Sequence, residues 1–157
     1  MRIGIIVHSV TGNTLSVSKK LEQVLGEAGH EVELKEIKTE GKPNPADKEV
    51  KFSELPGLDG YDAIVFGSHT EAFSLEFAMK EYFKRIDGLK DRKAACLITH
   101  QLPCRWMGGN NAARQMKTLC EGKGAKVIGT AIVEWSPENK RQQNIDAAVA
   151  KLAGLFK

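Results

Sequence analysis

The sequence of 157 residues predicts an α/β fold: a doubly wound three-layer sandwich around a five-stranded parallel sheet in the order 2-1-3-4-5. Three observations predict it. Residues 3–7, 63–66, 94–98 and 127–133 are apolar almost throughout, the pattern of strands covered on both faces. The stretches between them carry apolar residues at helical spacing. Residues 31–37 alternate charged with apolar, so one face is wet and the charges guard an open rim.

Taken in order, strand one is followed by a helix with its stripe at Val17, Leu21, Val24, Leu25 and Ala28 and a stop at Gly29. The rim strand comes next. Residues 38–60 are charged and broken by Pro43, Pro45 and Pro56, too long a stretch for a structureless connection. A short helix over 45–50, capped by Asn44, is expected inside this crossover, which carries the chain to the far side of strand one. After the third strand, Leu75, Met79, Tyr82 and Ile86 mark a helix ending near Gly88. After the fourth, Ala112, Ala113, Met116, Leu119 and Cys120 mark another, stopped by Gly122 and Gly124. The last helix carries Ile145, Ala148, Val149, Leu152, Leu155 and Phe156. Its start is signalled by Ser136 as cap and Pro137 in the first turn. One domain over residues 1–157 is expected, since no repeat, low-complexity tract or boundary divides the chain.

Composition narrows the function classes. Apolar residues are 41% and charged residues 27%, which suits a folded core and argues against disorder. Apolar runs stop well short of the ~20 residues that span a bilayer, and the N-terminus lacks signal-peptide organisation. No membrane association is expected. Cys96, Cys104 and Cys120 are odd in number and unevenly spaced, neither a disulfide framework nor a zinc pattern, so a reducing cytoplasmic setting is the natural reading. Residues 1–87 hold 11 Lys/Arg against 15 Asp/Glu, a net −4, and residues 88–157 hold 12 against 5, a net +7. The basic half suits a cofactor phosphate, an acidic partner or simply solvent. With ten aromatics and no basic block interleaved with them, nucleic acid is not an expected partner.

In a sheet of this order, ligands bind beyond the carboxyl ends of the strands where the order reverses. The loop after strand one is His8-Ser9-Val10-Thr11-Gly12-Asn13-Thr14. Hydroxyls on Ser9, Thr11 and Thr14, a flexible Gly12 and the N–H groups of a starting helix can enclose a phosphate without a lysine. There is no GxGxxG after strand one and no GxxxxGK[ST], which argues against a Rossmann dinucleotide site and a P-loop.

On these residues the chain resembles the flavodoxin superfamily. Ser9-x-Thr11-Gly12-x-Thr14 matches the family's flavin mononucleotide (FMN) phosphate loop, [ST]-x-T-G-x-T, at every defined position. Gly67-Ser68-His69-Thr70 is similar to the G-S-x-T segment of the family's quinone reductases. Thr99-His100-Gln101 with Gly108-Gly109-Asn110 is similar to their Thr…Gly-Gly segment. The resemblance implies that Ser9, Val10, Thr11, Gly12, Asn13 and Thr14 hold the FMN phosphate. It implies that Ser68, His69 and Thr70 border the ribityl chain and one side of the ring, and Thr99, His100, Gly108 and Gly109 the other. Trp106 is a candidate cover for the flavin or a substrate. No catalytic acid, base or nucleophile is then required, because the flavin carries the redox chemistry.

The chain departs from ordinary flavodoxins in its positive net charge and in lacking a second-loop tryptophan, Phe73 being the nearest aromatic there. The expectation is an FMN-binding electron-transfer protein. It either serves a redox partner protein or acts as an NAD(P)H-dependent quinone-type reductase, an arrangement often walled by a homodimer. The remaining alternative is a flavin-free interaction module. His8, His69 and His100 fall near adjacent strand ends. They offer a positive charge near the flavin or simple backbone contacts, and with only Glu71 as a nearby carboxylate no metal is expected. Arg105 beside Cys104 is either an activating charge for the thiol or a neighbour of an idle rim cysteine.

Overall fold

The computed structural model describes residues 1–46 and 49–157. In chain order the elements are β1 (Arg2–Val7), α1 (Asn13–Glu27), β2 (Glu31–Glu36), β3 (Lys38–Thr39), β4 (Phe52–Glu54), β5 (Ala63–Glu71), β6 (Ser74–Leu75), α2 (Phe77–Arg85), β7 (Lys93–His100), α3 (Gly109–Gly122), β8 (Lys126–Glu134) and α4 (Glu138–Gly154). The main sheet runs β2-β1-β5-β7-β8 with every neighbouring pair parallel, the expected order. Among the described residues, no helix is long and apolar enough to cross a membrane.

Strand alternation sorts the core into two layers. Ile3, Ile5, Ala63, Val65, Ala95 and Leu97 face α1 and α4, meeting Val17, Leu21, Val149 and Leu152. Ile6, Ile64, Phe66, Cys96 and Ile98 face α2 and α3, meeting Met79, Phe83, Ala112 and Met116. Gly4 belongs to this second set, because a Cβ there would lie 2.7 Å from the buried Tyr61 ring. The wet rim is organised by that same tyrosine. Its hydroxyl donates to Glu33 at 2.7 Å, Arg2 pairs with Glu33 at 2.6 Å, and the Arg2 guanidinium sits 5.2 Å from the ring centroid. The hydrogen bond from Arg2, helped by that from Tyr61, lowers the Glu33 carboxyl pKa to about 2.

Two local expectations are corrected, a third falls partly outside the described residues, and one feature is added. Leu75 lies in β6, not in a helix: the chain reverses at Ala72 and Phe73, both at positive φ, and pairs Leu75 with Thr70, so α2 starts only at Phe77. Ser136 does not cap α4. Pro137 itself is the N-cap, in an extended conformation with no side-chain cap bond, which leaves Ser136 one residue too early. The helix expected over 45–50 includes residues 47 and 48, which lie outside the described residues. Around them, Pro45 and Ala46 form a turn closed by the Asn44 side chain, which accepts the Ala46 N–H at 2.9 Å, and Glu49 and Val50 are not helical. The fourth is an addition: the crossover is built on the antiparallel pair β3–β4 and tied down where Tyr82 donates to the Pro56 carbonyl at 2.6 Å.

Gly4→Ala is expected to destabilise the fold by about 1–3 kcal/mol, since the added methyl must displace a packed aromatic ring. Gly26→Ala, in α1 with nothing within 4 Å of the added Cβ, is expected to stabilise by about 0.5–1 kcal/mol. Urea unfolding of both variants against the parent checks the pair.

Candidate functional site

The carboxyl ends of β1, β5 and β7 lie side by side, and their loops bring the sequence-expected residues to one end of the sheet. After β1, Gly12 adopts φ 91° and caps α1. Only glycine takes that conformation without strain, which is why the turn into the helix can be so short. The Ser9 hydroxyl accepts the N–H of Gly12 at 3.1 Å and of Leu15 at 3.3 Å, so a hydroxyl oxygen occupies the acceptor position at the helix start. Among the described residues, the N–H groups of Thr11, Asn13 and Thr14 have no protein acceptor. Thr11 and Val10 are exposed, while Thr14 is buried and its hydroxyl shares a 2.8 Å hydrogen bond with that of Thr99. The three hydroxyls therefore do different things. Thr11 is open, Ser9 holds the turn, and Thr14 ties the first loop to β7.

Ser68, His69 and Thr70, expected in the loop after the third strand, lie instead in β5, which pairs with β7 as far as His69 and runs on to Glu71 before the chain turns. Ser68 is fully buried with no partner for its hydroxyl among the described residues. Thr70 pairs with Leu75 in the β5–β6 hairpin. At its tip Phe73 is 62% exposed. The third loop carries Trp106, 75% exposed, and Gly108 at φ 111°. The second and third loops pack together through Gly108, where a Cβ would meet the Phe73 backbone at 2.7 Å. Asn111 donates to the Phe73 carbonyl at 3.1 Å, and Gln115 accepts from Ser74 and from the Leu75 N–H. Gly109 leaves room for the buried His100 ring, whose two nitrogens have no hydrogen-bond partner among the described residues. Burial holds the His100 pKa below its ordinary value. Glu134 opposes that shift and Arg105 adds to it. Arg105 pairs with Glu134 at 2.8 Å.

Sequence reading missed Glu76. Its carboxylate is almost wholly buried at the start of α2 between His8, at 2.6 Å from Nδ1, and His69, at 2.5 Å from Nδ1. Burial favours the protonated acid, but the two imidazoles outweigh it and hold the Glu76 pKa below the usual carboxylate value. Burial likewise works against a charged His69. Glu76, with Glu71 and the His8 backbone behind it, outweighs that burial and raises the His69 pKa. Glu76 lies on the flank of an apolar helical stripe and seven residues from His69, so no spacing rule drew attention to it.

No protein-family model matches the chain. Solved structures do. Flavodoxin 1 from Bacillus cereus superposes with a TM-score of 0.69 over 99% of this chain and 97% of its own, at 20% identity. An azoreductase from Bacillus anthracis gives 0.64 over 99% and 98%, at 13% identity. A flavoprotein from Lactobacillus acidophilus, solved in complex with FMN, gives 0.62 over 94% and 97%, at 17% identity. The chain has the flavodoxin-like fold. At these identities the likeness establishes architecture, and it places the loops after β1, β5 and β7 of this flavodoxin-like chain at the end of the sheet where the strand order reverses.

His100 supplies a pH signature of this site. Its folded pKa is depressed, so below the ordinary histidine range the unfolded chain takes up a proton that the folded chain refuses. Its contribution to stability is therefore expected to fall as pH drops through the ordinary pKa near 6.5 toward the folded value. His100→Gln is expected to flatten that part of the profile. Urea midpoints for both proteins between neutral and mildly acidic pH read the difference.

Proposed function

We propose that this flavodoxin-like chain binds FMN at the carboxyl ends of β1, β5 and β7 and passes electrons through it. The observation that carries the reading is the opening of α1. There a hydroxyl oxygen sits on two backbone N–H groups, three further N–H groups lack acceptors among the described residues, and an exposed threonine stands beside them. Such an assembly is an anion site needing no lysine. The orphaned groups beyond it fit a polar, flat ligand. Among the described residues the Ser68 hydroxyl and the two His100 nitrogens lack partners, and Phe73 and Trp106 are exposed on two loops that pack on each other. The FMN complex of the Lactobacillus flavoprotein supports the choice of ligand.

In this reading Ser9, Thr11, Gly12 and Asn13 receive the phosphate. Thr14 positions the loop through Thr99. Ser68, His69, Thr70, His100, Gly108 and Gly109 border the rest. Bound FMN supplies reversible uptake and release of electrons. The protein orients it, keeps water from its buried side and sets the charge around it. A second reading, the NAD(P)H-dependent reductase, is favoured over a pure carrier by the exposure of both aromatics and by the positive net charge, features that suit an open face for small donors and acceptors. A reducing cytoplasm is the setting consistent with three free cysteines.

The phosphate assignment is tested by comparing FMN with riboflavin, which lacks the phosphate. Ser9→Ala with Thr11→Ala removes hydrogen bonds to a charged group, each worth about 1.5–3 kcal/mol. FMN affinity is expected to fall by about 100-fold or more, with riboflavin affinity changed little. Equal losses for both ligands, or no flavin binding by the parent protein, sink the assignment. The reductase reading is separated from the carrier by anaerobic mixing of FMN-loaded protein with NADH or NADPH. Rapid bleaching of the flavin colour is expected for a reductase, whereas persistent colour that dithionite discharges identifies a carrier.

A further inference from the structure

We propose that His8, His69 and Glu76 form a binding site for one zinc-class divalent cation, at the edge of the proposed FMN site and sharing His69 with it. The three ligands come from backbone positions that the fold fixes. His8 follows β1 and its N–H donates to the Gly67 carbonyl at 3.1 Å; His69 lies in β5, the partner of β1; and the Glu76 N–H donates to the His69 carbonyl at 3.2 Å. The rings stack with centroids 6.2 Å apart, and one ligand atom from each residue falls within 4.8 Å of the others.

The state of the carboxylate points to a cation. Glu76 is 1% exposed, and among the described residues no lysine or arginine pairs with it. A buried carboxylate needs a fixed positive charge or a full set of donors. Here Oε1 is hydrogen-bonded by His8, whereas the ring N–H of His69 is not directed at Oε2, although Nδ1 stands only 2.5 Å away. Both N···O separations are shorter than the ~2.7–2.9 Å of an ordinary charge-assisted hydrogen bond. The two imidazoles approach different oxygens of one carboxylate, with one ligand atom from each residue within 4.8 Å of the others. A cation held among them with bonds of about 2.0–2.2 Å sets the ligand atoms about 3.3 Å apart, which lengthens the short N···O contacts and draws the wider-spaced atoms together by small ring movements.

The donor set selects the ion class. Two imidazoles and a single carboxylate suit zinc, cobalt or ferrous ions, whereas calcium and magnesium take mainly oxygen ligands. Three protein ligands leave a coordination position for water or an incoming anion. His8 also lines a cleft of about 370 Å³ with Ser9, Lys38 and Thr39.

The test is a titration of chelator-treated, flavin-free protein with Co²⁺, read by visible ligand-field absorption and by displacement with Zn²⁺. One equivalent is expected to bind and to give the intense spectrum of a low-coordinate histidine site, with zinc raising the melting temperature in proportion to its logarithmic excess over Kd. His69→Ala is expected to weaken binding by about 100-fold while His30→Ala leaves it unchanged, and Glu76→Asp, which keeps the charge, is expected to retain weaker binding. Absence of a stoichiometric site in the folded parent, or binding indifferent to His69→Ala with circular dichroism unchanged, overturns the proposal. Because flavin is removed first, failure of the FMN reading leaves this measurement intact, and a flavin-binding protein without the metal refutes only this inference.

Discussion

Burying the Glu76 carboxylate is the constraint on which this end of the molecule depends. A carboxylate withdrawn from water and left alone costs several kcal/mol, so its neighbours must neutralise it or it must take a proton. Here the neighbours are two imidazoles, His8 just after β1 and His69 in β5, brought together because β5 lies beside β1. The strand order thus does chemical work, because it sets His8 and His69 across one narrow gap and α2 enters that gap with an acid at its first cap position. Moving β5 away from β1 would separate the histidines and leave Glu76 without compensation.

The second constraint is close backbone approach. The β5–β6 hairpin turns through two non-glycine residues at positive φ, Ala72 and Phe73, a conformation that costs energy unless the surroundings enforce it. The enforcement is visible: Gly108 admits the Phe73 backbone, Asn111 holds its carbonyl, and Gln115 takes two donors from Ser74 and Leu75. The third loop and α3 therefore hold the second loop in place. The exposure of Phe73 and Trp106 follows from this arrangement, since the backbones of their loops are pinned while the side chains stay in solvent.

Much of the architecture was legible because it rests on periodicity. Runs such as residues 3–7 and 94–98 are apolar because helices cover both their faces, and Glu33 and Lys35 alternate with apolar neighbours because β2 ends the sheet. What escaped was set by a few residues against a weak local pattern. Leu75 fits the stripe of α2 yet lies in β6, because the reversal before it is fixed by α3, forty positions along the chain. Pro137 carries the helix start that Ser136 seemed to signal. The site divides in the same way. Ser9, Thr11 and Gly12 were legible as a strand-to-helix turn rich in hydroxyls, but that Thr14 faces inward to Thr99 depends on β7 standing across from α1. Glu76 was illegible because its meaning lies wholly in contacts with His8 and His69.

These contacts bear on what the α1 opening can do. With Ser9 accepting two N–H groups, the turn already holds an oxygen where an anion's oxygen would lie, so its geometry is maintained without the ligand. An anion received there would meet N–H groups already held in place instead of ordering a loose segment, which removes part of the entropic cost of association. The Thr14–Thr99 bond strengthens the effect by anchoring the first turn of α1 to a buried strand. Beside this loop, against burial, Glu76 raises the His69 pKa while His69 and His8 lower that of Glu76, so the buried acid and the His69 ring favour each other's charged forms across 2.5 Å.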